Sequence, residues 1–248
     1  MKVLLIGDSC IDKYVYGEVK RLNPEAPVPV LNYTRSISTE GMAWNVFNNL
    51  NSFGVDVDMI TNEETITKTR YIHEKSNQQI LRVDEEGGVE NLDCDFVDQC
   101  IASNQYDALV ISDYDKGFIT QEKLMEISSR FVGPVFVDTK KNTIPEGVFV
   151  KINEIEFEKL THYDPNNLII TRGGVGTEYR GKIYPAEKVN VFDVVGAGDT
   201  FLAALVVGYI QSKSIQTAIP LANKAAAVAV SHTGTYVLTK EDIDEILH

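Results

Sequence analysis

Short apolar runs recur at residues 3–6, 108–111, 135–137, 148–150 and 168–170, bounded by Gly, Asp or Asn, and segments of helical period lie between several of them. That alternation predicts an α/β fold with a mostly parallel central sheet and covering helices. Ala43, Val46, Phe47, Leu50 and Phe53 form a stripe spaced i, i+3, i+4 and i+7, and Gly54 follows where a C-terminal cap belongs, so a helix is expected there. Residues 201–210 and 218–230 are nearly all apolar or small, the composition of helices buried between sheet and neighbours. A last amphipathic helix over 240–247 opens at Thr239, a capping residue type.

Two stretches break the alternation. Residues 14–19 and 28–33 read as strands flanking Asn23-Pro24-Glu25-Ala26-Pro27, a turn whose prolines cannot sit inside a helix. Residues 68–73 and 79–83 read as a hairpin about Ser76-Asn77. Together they predict a small β-flap or lid, near 12–34 and 67–84, on a single domain spanning 1–248.

Composition narrows the class. At 248 residues the chain can build one sizeable core but hardly two, and 44% hydrophobic with 24% charged residues is the profile of a packed globular domain. The net charge of −13 opposes a surface made for nucleic-acid phosphates or anionic lipid, so neither partner is expected and an anionic ligand must meet a local cluster of Lys and Arg. Cys10, Cys94 and Cys100 are odd in number and lack C-x-x-C spacing, which fits a reducing, cytoplasmic setting better than a disulfide framework or zinc ribbon. The first apolar run ends after four residues at Gly7-Asp8, too short for a signal core or a membrane span. His73, His162, His232 and His248 show no metal-ligand spacing.

The chemistry concentrates in Asp193-Val194-Val195-Gly196-Ala197-Gly198-Asp199-Thr200, a glycine-rich turn running into an apolar helix. Helix N-termini present unpaired N–H groups and partial positive charge, and small residues let an anion come close, so Gly196, Ala197 and Gly198 can form an anion hole. Asp199 beside it can take the proton of an attacking hydroxyl while the N–H groups stabilise a transferring phosphoryl group. Read as local structure alone, the same segment is a strand-to-helix turn with Asp199 as a capping residue. No G-x-x-x-x-G-K-[ST] and no protein-kinase H-R-D or D-F-G element occurs.

The whole segment resembles the signature of the ribokinase-like (PfkB) sugar kinases. That resemblance implies a three-layer ribokinase-like fold, Asp199 as catalytic base, Gly196 to Gly198 as anion hole, and Asp193 and Val195 bordering a monovalent cation such as K⁺. It also implies ATP and Mg²⁺. On the sugar side it points to Asp8 and Asp12 after the first strand, though an Asp there is equally a turn residue, and to Gly41 and Asn45. On the nucleotide side it points to Thr171, Arg172, Gly173 and Gly176, which also read as a hairpin turn, and to Asn223, otherwise a residue of a solvated helix face. Asn153 and Glu156 match an Asn-x-x-Glu pattern tied to water-mediated Mg²⁺, and the same spacing reads as an N-cap.

Within the family the chain most resembles kinases of D-glycero-D-manno-heptose 7-phosphate, carried by residues 21–30, by Thr67-Lys68-Thr69-Arg70, by Ile80-Leu81-Arg82-Val83-Asp84, and by Ser112-Asp113-Tyr114-Asp115-Lys116-Gly117. Lys68, Arg70, Arg82 and Lys116, with Asp113 beside them, are then the expected grip on a sugar phosphate, although Lys68 and Arg70 alternate as they would on a solvated strand. Another sugar or nucleoside kinase of the family, or a binding protein on its scaffold, is the alternative. A homodimer clasped through the flap strands is expected, as in the family. Three departures stand out. Glu40-Gly41-Met42-Ala43-Trp44-Asn45 replaces the usual Gly-Gly-x-x-x-Asn; Ile60 leads almost directly to Thr67 where a helix and a strand are usual; and the His-x-Gly-His of a fused adenylyltransferase does not occur, so only the kinase step is expected of these residues.

Overall fold

A computed structural model describes residues 1–102 and 105–247, and His248 lies outside the described residues. Strand β1 (Lys2–Gly7) is followed by the long flap strands β2 (Ser9–Leu22) and β3 (Pro29–Met42), helix α1 (Ala43–Ser52), β4 (Asp56–Thr61), and the flap hairpin β5 (Thr67–His73) and β6 (Gln78–Glu85). Then come α2 (Cys94–Ala102), β7 (Ala108–Asp113), α3 (Gln121–Arg130), β8 (Val135–Thr139), β9 (Phe149–Asn153), α4 (Glu154–Phe157) and β10 (Leu168–Thr171). The chain closes with β11 (Thr177–Tyr179), β12 (Lys182–Tyr184), α5 (Ala197–Ser212), α6 (Ile215–Val230) and α7 (Lys240–Leu247).

The apolar runs become the middle of an eight-stranded sheet ordered β12-β11-β10-β9-β8-β7-β1-β4, parallel except for the β11–β12 edge. Because strand side chains alternate, each run serves two cores. Val3, Leu5, Val110 and Phe136 face α1, α5 and α6, whereas Leu4, Ile6, Leu109, Ile111 and Val137 face the layer of α2 and α3. At roughly 1.5–3 kcal/mol for each large side chain fully buried, these double-faced strands fix the sheet. Helix α5 is buried along almost its whole length between sheet and neighbours, which its composition requires. No helix among the described residues is long and apolar enough to cross a membrane.

The flap is a second sheet ordered β3-β2-β5-β6. Its strands run further than the sequence pattern predicts: β2 and β3 have 14 residues each, and much of β3 lies exposed, where polar residues carry no alternation to read. The hairpin turns at Asn77, which takes a left-handed φ of 53°. Gly54 ends α1 with φ 76° and Thr239 caps α7 through the Asp242 N–H, both as expected.

Two connections are abbreviated. Asn62 to Ile66 alone link β4 to β5, with the Asn62 side chain tied to Ser9 N–H and Glu64 C=O. Between β9 and β10 the helix that Asn153 caps is a single short turn, Glu154–Phe157.

Candidate active site

Helix α5 begins at the mouth where β7, β8 and β9 end and the flap folds over. Gly196, its N-cap, has φ 76°, and a side chain there would come within 2.6 Å of Asn45 Nδ2. A side chain at Gly198 would meet Lys151 Nζ at 2.8 Å. Gly196 needs glycine for its left-handed φ, whereas a side chain at Gly198 would have to displace the end of the buried Lys151 side chain. Of the three residues expected to form the anion hole, Ala197 turns its N–H back to Val194 C=O at 3.3 Å, so an anion at this turn would depend on its neighbours.

Asp199 sits in that first turn, 3% exposed. Its carboxylate accepts from Tyr114 Oη–H at 2.6 Å and from Asn45 Nδ2 at 3.1 Å. Burial raises its pKa to about 6; the bonds from Tyr114 and Asn45 and the charge of Lys151 pull it down, and the charge of Asp138 pushes it up. A group so placed is ionised at neutral pH yet basic enough to take a proton. Burial and the Asp199 charge hold the Tyr114 phenol well above its ordinary range, so it stays a donor.

Two cations flank Tyr114: the Lys68 and Lys140 ammonium groups lie 5.4 and 5.3 Å from its ring centroid. Lys140 also pairs with Glu156. Asn153 and Glu156 form a reciprocal capping box at α4, Glu156 N–H to Asn153 Oδ1 at 3.0 Å and Asn153 N–H to Glu156 Oε2 at 2.9 Å. Below, the neighbouring strands β8 and β9 bring Asp138 and Lys151 together at 2.5 Å, both buried.

The inner face of the flap supplies the other wall. Register pairs Asp12 with Lys68, Tyr14 with Arg70, and Arg70 with Arg82, which sets these side chains on one face. Arg70 is ion-paired to buried Asp12, with Gly41 packed against that carboxylate. Arg82 stands further out, paired with Asp84, and Lys116 reaches Glu86. Asn45 is itself held by Asn49, whose Nδ2 donates to Asn45 Oδ1 at 3.1 Å. Just before α1, Met42 takes φ 58° and ψ −128°, a conformation that costs a residue with a side chain on the order of 1–3 kcal/mol.

Several expected ligand contacts have other work in the fold. Asp8 is wholly buried and accepts from Tyr114 N–H at 2.6 Å, fastening β1 to the turn after β7; burial lifts its pKa to about 6, with Asp113 adding to the rise. Asp113 is equally buried, held by Thr139 at 2.5 Å and Lys141 at 3.0 Å, so it shapes that turn from beneath. Asn223 is not on a solvated face. Its Oδ1 accepts from Thr177 and its Nδ2 donates to Tyr184 and Pro185 C=O, so its polar atoms staple α6 to the β11–β12 hairpin.

Thr171, Arg172, Gly173 and Gly176 do form the turn at the end of β10, with Arg172 pinned between Glu154 and Glu178. Asp193 ties two loops together, accepting from Val195 N–H at 3.1 Å and from Gly234 N–H at 3.0 Å. Tyr114, Asp138, Lys140 and Lys151 are site residues that sequence reasoning missed. The Asp138-Thr139-Lys140-Lys141 turn after a predicted strand was the available signal; for Lys151, inside a strand, there was none.

The chain matches the family described as pfkB family carbohydrate kinase over residues 44–242. It is 32% identical to the bifunctional protein HldE of Nitratiruptor over 301 residues, covering 98% of this chain and 64% of that protein. It is 29% identical to the bifunctional protein HldE of Pasteurella multocida over 304 residues, covering 100% and 63%. The chain thus spans less than two thirds of these relatives, and the matched stretches are longer than its own 248 residues. Among solved structures it is similar to ribokinase from Thermotoga maritima (TM-score 0.72, 16% identity, 99% of this chain and 98% of that one). It is also similar to phosphofructokinase-2 from Escherichia coli in complex with potassium (TM-score 0.74, 16% identity, 98% and 97%).

Proposed function

The chain belongs to the pfkB family of carbohydrate kinases, and from that premise we propose that it transfers the γ-phosphoryl group of ATP to D-glycero-D-manno-heptose 7-phosphate, giving the 1,7-bisphosphate. One observation carries the finer reading. Two of the segments that resemble heptose 7-phosphate kinases, 67–70 and 112–117, meet at Lys68 over the Tyr114 ring, whose hydroxyl donates to Asp199.

In this reading Asp199 takes the proton of the acceptor hydroxyl, Asp12 and Asn45 hold ring hydroxyls, and the turn at Gly196–Gly198 receives the transferring phosphoryl group. Glu156 has one oxygen in the capping box and the other on Lys140, so this donor set fits an ion that keeps its water and stays with the nucleotide phosphates. Mg²⁺ there would supply charge neutralisation. A monovalent cation would lie by the two loops that Asp193 joins.

The remote phosphate calls for cations without a competing partner. Lys68 meets that need best, since Arg70 already neutralises Asp12. Lys116 and Arg82 sit in partly exposed pairs worth about 0–1 kcal/mol, which a phosphate can displace. An ATP-consumption assay across sugars and sugar phosphates tests the assignment. Heptose 7-phosphate is expected to be preferred, and Lys68→Ala and Lys116→Ala are each expected to lower its kcat/KM about tenfold or more while leaving ATP affinity unchanged. Preference for an unphosphorylated sugar, or equal losses on both substrate classes, would move the assignment to another sugar of the family.

The flap also supports a homodimer. Leu22, Tyr33, Ile37 and Leu81 are 64, 66, 45 and 54% exposed on it, and β3 is an open edge. Such a surface is stable when a second copy covers it. Light scattering is expected to give twice the chain mass, and a fully active monomer would refute the clasp.

A further inference from the structure

The two hydrogen-bond donors to Asp199 come from distant parts of the chain, Asn45 from the first turn of α1 and Tyr114 from the turn after β7. Residue 42 touches both arrangements. Its backbone is the N-cap of α1, three residues before Asn45. Its side chain is 4% exposed in a small apolar cluster with Cys10 and Ile66, against which Tyr114 and Val89 pack. Glycine would adopt φ 58° and ψ −128° without steric cost, so here the strain comes with a buried apolar side chain.

We infer that Met42 is a wedge that holds Tyr114 against Asp199, and that Tyr114 is a positioning residue for the base. Tyr114 Oη–H binds Oδ1 and Asn45 Nδ2 binds Oδ2, which fixes the plane of the carboxylate and leaves lone pairs for the acceptor hydroxyl. Tyr114 is itself held on two sides: its N–H is on Asp8 Oδ2, and its ring packs against the apolar cluster that contains Met42. This inference rests on the reading of Asp199 as the base but not on which sugar is the acceptor.

The test has an arm that needs no substrate. The Asp199 carboxyl is followed by carbon NMR across pH in the nucleotide-free protein, with Asp199→Asn to assign the signal. The groups facing Asp199 are Tyr114, Asn45, Asp138 from β8, Lys151 from β9, Lys140 beyond β8 and the Cys10 thiol on β2. Tyr114→Phe removes a donor to the ionised form, so the midpoint is expected to rise by about one pH unit. Met42→Gly is expected to move it in the same direction by less, and Met42→Leu, which keeps an apolar wedge, to restore it. In turnover assays Tyr114→Phe is expected to lower kcat about 10- to 100-fold with the KM for ATP within about twofold.

The double variant Met42→Gly/Tyr114→Phe is expected to be no slower than Tyr114→Phe, since Met42 acts through the phenol. An unmoved midpoint in Tyr114→Phe, or a double variant whose loss is the product of the single losses, overturns the inference. Wild-type protein that ignores heptose 7-phosphate overturns only the substrate assignment, because the titration still reports on Asp199.

Discussion

Asp199→Asn is expected to lower turnover about 10²- to 10⁴-fold while ATP binds nearly as well as to the wild type. The amide keeps an oxygen for Tyr114 Oη–H and leaves the glycine turn untouched, but its NH2 meets the Asn45 Nδ2 donor where an acceptor stood, so it removes the base together with one hydrogen bond worth about 1 kcal/mol. Near-wild-type turnover would end the proposed mechanism. The pH profile gives an independent reading: with the folded-state pKa near 6, kcat/KM should fall about tenfold per unit on the acid side of pH 6.

The same substitution should make the protein more stable at pH 8. Burial raises the Asp199 pKa from 3.8 to about 6, so the folded state favours the neutral form, and ionisation above pH 6 works against folding by about 2–3 kcal/mol. In the wild type this lost stability returns as pH falls through 6 towards 4. The advantage of the Asn variant should therefore be greatest at pH 8 and absent near pH 4, in melting curves taken across that range.

What the sequence reveals depends on how local the information is. The 193–200 turn is legible because Asp199, the glycines and the helix start are contiguous, and the strands around β1 are legible because burial on both faces leaves an unbroken apolar run. The flap strands are underestimated because the outer half of β3 meets water on both sides. The Asp12–Arg70 pair depends on the parallel β2–β5 register, which no local pattern encodes. Asn223 shows the limit most plainly: placed correctly on a helix, it bonds a hairpin 39 to 46 residues earlier in the chain. Tyr114 lies within a stretch recognised for its charged neighbours, yet only the tertiary fold brings its phenol to Asp199 in the first turn of α5.

Lys151→Met is expected to destabilise the protein by about 3–5 kcal/mol, the usual cost of leaving one member of a buried ion pair without the other. Asp138 and Lys151 face each other across β8 and β9 with side chains only 7% exposed. Asp138 already has one oxygen with no hydrogen-bond partner among the described residues, so it has nothing nearby to replace the ammonium except the more distant charge of Lys140. That second cation places the expected loss towards the lower end of the range. Asp138→Asn combined with Lys151→Met removes both charges and should recover most of the stability in urea unfolding, as replacing a whole buried pair by neutral groups commonly does. A single variant within about 1 kcal/mol of the wild type would show that water reaches the pair. The two charges have opposite effects on Asp199, Lys151 easing its ionisation and Asp138 opposing it. Lys151→Met alone should therefore shift the acid limb of kcat/KM to higher pH, whereas the neutral double variant should leave it close to the wild-type position.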